Sequence, residues 1–297
     1  MFIAFTKLAK KIKPIGFSGL SIYDVTLFFW KGLSEGAITT RASSLAFNFF
    51  LAFFPSIIVF FTLIPYIPIN GLQDTLMELL ITVLPPSTNE LTFQALNDII
   101  NNPRGGLLSI GFLLALYFST NGINSLIEAF NSSYHIRENR PLIQQRVLSL
   151  TLTILLSIIL IIALGLIICS KSAVNYLLEY KLISQYEKIL ILYGKWLIIL
   201  LILFVGISIL FHIGPSIKNK WKLFTAGTIL ATLGIIITSL GFNYYIHHFS
   251  QYNKLYGSIG TLMIILIWMY LNSIILLTGF ELDASIVNAK EKNNKLK

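Results

Sequence analysis

Long uncharged apolar stretches recur along the chain. A helix that crosses a membrane needs about 20 apolar residues, because each residue rises 1.5 Å and the hydrocarbon core is about 30 Å thick. Six stretches meet this requirement without a Lys, Arg, Asp or Glu: Ala42 to Ile64, Leu107 to Ile127, Val147 to Cys169, Trp196 to Ile213, Leu223 to Tyr245 and Tyr256 to Phe280. The pattern predicts an all-α polytopic membrane protein with six transmembrane helices.

Composition supports the same class. Of 297 residues, 55% are hydrophobic and 12% charged, and the mean hydropathy is +0.77, whereas soluble domains are about 25% charged. We therefore predict one membrane domain at 42–280 with an outer loop at 65–106. A cytoplasmic tail with an interfacial helix precedes it at 1–41, and a second cytoplasmic tail follows at 281–297.

The basic residues predict the orientation, since Lys and Arg are retained preferentially on the cytoplasmic side. With the N-terminus inside, sixteen of the 22 Lys and Arg residues fall on the cytoplasmic side and six fall outside. Both termini are therefore expected in the cytoplasm, and the protein in a bacterial inner membrane. We therefore attribute the net charge of +9 to contact with a membrane surface. We expect no nucleic-acid partner, because the basic residues are not gathered on one soluble module.

Two regions are typical of amphipathic helices that lie on a membrane surface. In residues 20–40, apolar side chains recur at helical spacing while charged ones lie elsewhere, as in an interfacial helix. The outer loop 65–106 repeats this pattern twice, and Ser87 with Glu90 has the spacing of a capping box that starts the second helix. We expect these helices to cap the bundle from outside.

Polar side chains also occur within the predicted spans. In the second span they recur at intervals of three, four and three, which places one stripe on a single helix face: Asn121, Asn124, Glu128 and Asn131. Asn272 lies in the sixth span. Because polar groups in hydrocarbon cost free energy unless they are paired, this stripe is expected to face the bundle interior.

Three helices bring polar groups to the predicted cytoplasmic side. We expect an inward-facing polar mouth, with Arg41 or Arg140 available to pair with Glu128 or Glu281. The full set of candidate residues for a substrate pathway is Arg41, Asn48, Asn121, Asn124, Glu128, Asn131, Arg137, Arg140, Asn272, Glu281 and Asp283. The alternative is that these side chains only hold helices together, each hydrogen bond contributing roughly 0.6 to 2 kcal/mol.

Motifs for catalysis or metal binding are weak. The chain has no GxGxxG, GxxxxGK[ST], HExxH or GxSxG sequence, and its four aspartates are scattered. His247 and His248 are adjacent, so on a helix they diverge by about 100° and make a poor metal pair. No cofactor, metal or enzymatic activity is expected.

Several segments together resemble one known family. They are RASSLAFNFFLAFFPSIIVFF at 41–61, NGINSLIEAFNSSYHIRENR at 121–140, the GP in HIGPSIKNKW, and YGSIGTLMIILIWMYLNSIILLTGFELDASI at 256–286. Over residues 25–288 the chain resembles the YihY/BrkB family of bacterial inner-membrane proteins, whose older label is ribonuclease BN. The resemblance implies six spans with both termini inside, and Asp283 stands where the family's usual GAELN ending has an amide.

Three functional hypotheses remain. The first is transport of a lipid or another anionic amphiphile, with Arg41, Arg137 and Arg140 contacting phosphate and membrane lipids as partners. The second is a non-transporting scaffold for envelope assembly, with a protein partner at the outer loop. The third is a membrane-bound enzyme, including the nuclease of the older label. The oligomeric state stays open.

Overall fold

The computed structural model describes most of the chain: residues 25–26, 29–32, 37–66, 98–99, 101–133, 140–179, 184–216, 223–248 and 258–295. Six long helices carry the architecture, and a 3-10 turn at Ile64–Tyr66 follows the first. They are α1 (Ile38–Leu63), α2 (Gly105–Asn131), α3 (Leu142–Glu179), α4 (Gln185–Ile213), α5 (Ala226–His248) and α6 (Ser258–Lys295). The predicted helices of the outer loop and most of the predicted interfacial helix lie outside the described residues.

The prediction of six membrane-spanning helices is confirmed. Each of the six long helices contains a stretch that is long and apolar enough to cross a membrane. In these stretches at most 39% of the residues are buried inside the protein, the highest share being that of α4. Many of the other apolar side chains are exposed, which suits contact with lipid rather than with water.

The helices extend beyond the predicted spans. Helix α6 continues past Phe280 for fifteen further residues to Lys295, so Glu281 and Asp283 lie inside this helix. Hydropathy indicates where a helix leaves the hydrocarbon, not where the helix itself ends. Helix α6 continues through 281–295 because this segment contains no Gly or Pro and keeps an apolar face. Helix α1 likewise begins at Ile38, before Arg41.

The described chain forms two compact units. The smaller comprises residues 47–122 and the larger comprises 1–46 and 123–297. Within the smaller unit, Gly111 of α2 faces the side chains of Ile58 and Val59 of α1. Arg104 and Asp98 form an exposed ion pair just before α2. Each unit thus has its own helix contacts.

In the larger unit, α5 and α6 pack against each other most closely. A Cβ on Gly227 would overlap the backbone oxygen of Gly279, and a Cβ on Gly279 would lie 2.8 Å from the Cβ of Ala231. Farther along, a Cβ on Gly234 would lie 2.5 Å from the side chain of Ile275. Small residues allow two helix backbones to approach in this way.

Aromatic side chains connect α2, α4 and α6 in the larger unit. Phe130 of α2 stacks on Phe280 of α6 with ring centroids 4.2 Å apart, and Phe211 of α4 meets both rings edge-on. All three side chains are buried. Helix α4 also packs against α3 and α5, so it links the helices of this unit.

A capping box starts α4. The Ser184 hydroxyl accepts a hydrogen bond from the Glu187 backbone N–H, and the Glu187 carboxylate accepts one from the Ser184 backbone N–H at 2.6 Å. These bonds hold the pKa of the exposed Glu187 carboxyl below its usual value. The helix therefore begins at a defined residue outside the apolar stretch.

Adding one methyl group should disrupt the α5–α6 contact. We expect Gly227→Ala to lower the free energy of unfolding by about 1–3 kcal/mol, because the new Cβ must displace the backbone of α6. Unfolding by SDS in mixed micelles measures the change. Gly241→Ala on the same helix is the matched control, since nothing lies within 4 Å of its added Cβ. Equal losses in the two variants would contradict the close contact.

Candidate functional site in the larger unit

A buried ion pair lies where α1, α2 and α6 meet. Glu281 of α6 is fully buried, and its Oε2 lies 3.6 Å from Nη2 of Arg41. Ser133, just after α2, donates a hydrogen bond of 2.9 Å to the other carboxylate oxygen. Nη1 of Arg41 donates to the backbone oxygen of Ala129 at 2.6 Å.

Each contact of this ion pair offsets an electrostatic cost. A carboxylate taken out of water costs several kcal/mol unless an opposite charge and hydrogen bonds compensate it. Ala129 lies in the last turn of α2, where carbonyls lack helical partners and the helix dipole favours a cation. The Arg41 guanidinium therefore compensates both the Glu281 carboxylate and the end of α2.

The polar stripe of α2 makes a second set of contacts, with α3. Asn124 donates to the Glu128 carboxylate at 2.6 Å, and its carbonyl oxygen accepts from Gln145 at 3.1 Å and from Ser149 at 3.3 Å. Gln145 also lies 3.3 Å from the same Glu128 oxygen. Asn124, Gln145 and Ser149 are buried, whereas Glu128 is exposed. The stripe faces the protein at Asn124 and reaches the surface at Glu128.

Asn131 and Arg140 hold the turn that follows α4. Arg140 donates to the backbone oxygens of Gly214 at 2.8 Å and Pro215 at 2.6 Å, and the Asn131 side chain accepts from the Ser216 backbone N–H at 2.9 Å. Pro215 ends the helix, leaving free carbonyls. These contacts give Arg140 a role in fixing the Gly-Pro turn, and its pairing with an acid stays a prediction.

Asp283 binds the beginning of α5. Its carboxylate accepts a hydrogen bond of 2.5 Å from the Thr225 hydroxyl and one of 2.7 Å from the Gly227 backbone N–H. The first N–H groups of a helix lack helical partners, and the helix dipole favours a negative charge there. Asp283 thus acts as an N-terminal cap supplied by a neighbouring helix.

The remaining predicted residues are Asn48, Asn121, Arg137 and Asn272. The Asn272 amide donates to the backbone oxygen of Trp268, one turn earlier on α6. Asn48 and Asn121 belong to the smaller unit, and Arg137 lies outside the described residues. The larger unit therefore brings together Arg41 and Glu281, and separately Asn124 and Glu128.

An open apolar groove runs between α5 and α6. Its volume is about 430 Å³, and its lining residues are almost all apolar: Thr238, Gly241, Phe242, Tyr245, Met263, Ile264, Ile267 and Leu271. It lies beyond the close contact at Gly227 and Gly279, toward the end of α5 and the start of α6. The same two helices therefore carry a polar region at one end and an apolar groove at the other.

The sequence matches known proteins over most of its length. The family described as Virulence factor BrkB matches residues 29–297. A Bacillus subtilis protein named as the ribonuclease-like protein YfkH is 31% identical over 267 residues, which are 89% of this chain and 95% of that protein. The chain belongs to the BrkB family.

Other relatives of this BrkB-family chain are named only as membrane proteins. A UPF0761 membrane protein of Haemophilus influenzae is 23% identical, over 90% of this chain and 96% of its own length. Another, from Tolumonas auensis, is 26% identical over 87% of this chain and 84% of its own length. No solved structure matches the chain significantly.

Several contacting residues were absent from the sequence-based set. Ser133, Gln145, Ser149 and Thr225 all bind predicted residues directly. Gln145 and Ser149 are four residues apart, which puts them on one helix face, and this spacing was a usable signal. Nothing in the local sequence around Ser133 or Thr225 distinguishes them, because their partners come from a distant helix.

The two glutamates should respond differently to the same substitution. Glu281→Gln should lower the free energy of unfolding by about 3–5 kcal/mol, because it leaves the Arg41 guanidinium buried without its counter-charge. Glu128→Gln should cost about 1 kcal/mol or less, because an exposed amide oxygen still accepts from Asn124 and Gln145. SDS unfolding of both variants measures the difference. If both variants lost a similar amount of unfolding free energy, burial of the Arg41–Glu281 pair would not determine the cost of removing the carboxylate.

Proposed function

We propose that this BrkB-family chain transports a lipid or another anionic amphiphile, and that Arg41 receives its anionic headgroup. One observation carries the proposal. Among the described residues, the buried Nε and Nη2 atoms of the partly buried Arg41 have no acceptor within hydrogen-bond distance, although Nη2 has the Glu281 carboxylate 3.6 Å away. Two buried guanidinium nitrogens without a close acceptor are unusual, because each such group costs free energy.

The unused donors have the geometry that an oxyanion requires. Nε and Nη2 form one edge of the guanidinium plane, which presents two parallel N–H groups to a phosphate or carboxylate. In the resting protein, Glu281 supplies the counter-charge without occupying both donors. An arriving phosphate would take this edge, and Ser133 would keep its hydrogen bond to Glu281.

The predicted orientation supports a substrate whose headgroup enters from the cytoplasmic leaflet. Sixteen Lys and Arg residues fall on the side where we propose that both termini lie, and the Arg41 site belongs to that side. Basic residues at a membrane surface attract anionic lipids by about 1 kcal/mol each. The proposed location is the inner membrane of a bacterium.

The groove between α5 and α6 supports an amphiphilic rather than a fully polar substrate. A ligand with an acyl chain needs an apolar surface that opens sideways to the bilayer, and this groove has such a lining. Its Thr238 and Tyr245 belong to α5, the helix whose first turn is bound by Asp283. Headgroup and tail would thus use different parts of one unit.

A structural role is the second candidate. The cluster of Asn124, Gln145 and Ser149 satisfies its own hydrogen bonds, as expected of groups that hold helices together. This favours the envelope scaffold as the alternative, with a protein partner at the outer loop. The enzyme hypothesis has the name of the Bacillus subtilis relative in its favour, but we propose no catalytic role.

Transport can be tested in reconstituted vesicles. The wild-type protein should move a tail-labelled phosphatidylglycerol between leaflets, read by dithionite quenching, and should move labelled phosphatidylcholine less. Arg41→Lys should reduce the rate by about tenfold, because an ammonium keeps the charge but loses the two-donor edge. Absence of movement of either lipid by the wild type would contradict the proposal.

A charge-free variant controls for folding in this assay. Replacing both partners, as Arg41→Met with Glu281→Leu, should leave the protein about as stable as the wild type, because a buried ion pair and an apolar pair of similar volume have comparable stability. The folded double variant should not transport. If it transports normally, the ion pair holds the helices together and does not receive the headgroup.

The Asn124 cluster needs a separate test of pathway against structure. Glu128→Gln and Asn124→Leu change this cluster without touching Arg41. If they leave folded protein with reduced transport, the cluster belongs to the pathway. If they reduce only the amount of assembled protein, measured by gel filtration in detergent, the cluster holds α2 against α3, which is the outcome that its complete hydrogen bonding favours.

A further inference from the structure

Neutral donors hold the Asp283 carboxyl group of α6. One carboxylate oxygen accepts from the Thr225 hydroxyl at 2.5 Å, and the other accepts from the Gly227 backbone N–H at 2.7 Å. Within the described part of the chain, Asp283 forms no ion pair with a Lys or Arg, whereas Glu281, two residues earlier, pairs with Arg41. A carboxylate removed from water is costly without a counter-charge, so a bound proton would stabilise this group.

The Thr225 hydroxyl continues the contact into a short chain of hydroxyl groups. Its oxygen lies 2.9 Å from the Thr228 hydroxyl oxygen, and either of the two can be the donor. Thr228 is fully buried, and its hydroxyl also lies 3.0 Å from the Thr225 backbone oxygen, which accepts. The chain thus runs from the Asp283 carboxyl group through two hydroxyl groups to a backbone carbonyl.

This chain satisfies Asp283 in either protonation state. When the carboxyl group is charged, the Thr225 hydroxyl donates to it and the Thr228 hydroxyl donates to the carbonyl. When it is protonated, its O–H donates to Thr225, whose hydroxyl turns to donate to Thr228, while the other oxygen still accepts from Gly227. A hydroxyl can reverse in this way because it both donates and accepts. None of these groups loses its partner, so the proton can bind without the cost of an unsatisfied donor.

His212 of α4 is a second titratable group at the same place. It is close enough to act electrostatically on the Asp283 carboxylate. Its Nδ1 lies 2.8 Å from the Ser208 backbone oxygen, which can only accept, so Nδ1 carries a hydrogen and Nε2 is the nitrogen that gains or loses a proton. Both titratable side chains are partly buried rather than enclosed. Acidic residues combined with histidine are typical of proton relays in membrane transporters.

The other charges at this end of the larger unit do not replace His212. Residues 223–243, which lead into α5 and form most of it, contain no titratable side chain. The charged groups contributed by the N-terminal segment, α1 and α6 are Lys31, Arg41, Glu281 and Lys290. Two of them pair with each other. The two lysines are exposed, and neither forms an ion pair with Asp283 among the described residues.

We propose that Asp283 is a reversible proton-binding site, and that the chain moves its anionic ligand together with a proton bound there. Glu281 and Asp283 are separated by about 200° around α6, so ligand and proton bind on nearly opposite sides of one helix segment. The proton offsets one negative charge of the ligand, which lowers the cost of moving that charge through a medium of low dielectric constant. The coupling rests on the proposed function, whereas the proton site does not.

Infrared difference spectroscopy tests the proton site without any transport assay. As the pH falls, the wild-type protein should gain the C=O stretching band of a protonated carboxylic acid in its membrane domain. Asp283→Asn should remove this band, because an amide reproduces the hydrogen bonds of the protonated acid but takes up no proton. Identical pH-dependent spectra of the two folded proteins would overturn the proton site.

Two threonines provide a matched variant and control for the hydroxyl chain. Thr225→Val removes the acceptor of the protonated acid, so the band should move to a higher frequency. Thr232→Val removes another buried hydroxyl, which donates to the Thr228 backbone oxygen, and should leave the band in place. Equal shifts in both variants would contradict the chain. Gel filtration in detergent excludes misfolded material from the comparison.

Transport measured over a range of pH separates the proton site from the proposed function. In vesicles with equal pH on both sides, wild-type movement of labelled phosphatidylglycerol should change by up to about tenfold per pH unit, as participation of one proton requires. Asp283→Asn should lose this dependence, and equal dependence in both proteins would overturn the coupling. If the wild type moves lipid but the Asp283 band is absent, the proton site is wrong and the transport proposal stands. If the band is present but no lipid moves, the proton site stands and the transport proposal is wrong.

Discussion

Burial of the Glu281 carboxylate imposes the strongest constraint on this protein. In a medium of low dielectric constant, an isolated carboxylate is too costly to keep charged, so its surroundings must supply a cation and hydrogen bonds. Arg41 from α1 and Ser133 after α2 supply them. Because Arg41 also binds the last turn of α2, one compensated charge fixes the relation of three elements.

The other polar contacts of the larger unit follow a common rule. Most lie at helix ends, where backbone groups have no helical partners. Asp283 accepts from the Gly227 N–H in the first turn of α5, and Arg140 donates to the carbonyls after α4. Side chains from neighbouring helices thus complete the helix termini. The Asn124 cluster instead joins the middle of α2 to α3 through side chains, so removing it and removing Arg41 test different contacts.

The sequence predicts the helices of this fold better than their contacts. Apolar length and charge are local properties, so all six spans could be located. Helix ends such as Lys295 could not, because the end of the hydrocarbon and the end of a helix are different physical boundaries. The predicted depth in the membrane placed Arg41 and Glu281 in one region. The sequence did not determine which acidic residue pairs with Arg41. Ser133 and Thr225 were missed because their partners, Glu281 and Asp283, lie far away in the chain.

The close approach of α5 and α6 has a mechanical consequence. Where Gly227 meets Gly279, the two backbones are separated by no side chain that could rearrange, so sliding or tilting of one helix against the other would be resisted by hard-sphere repulsion. The pair therefore behaves as a rigid frame. Movements of this pair relative to its neighbours would be concentrated at its borders with other elements, where longer side chains can exchange rotamers while the frame stays still.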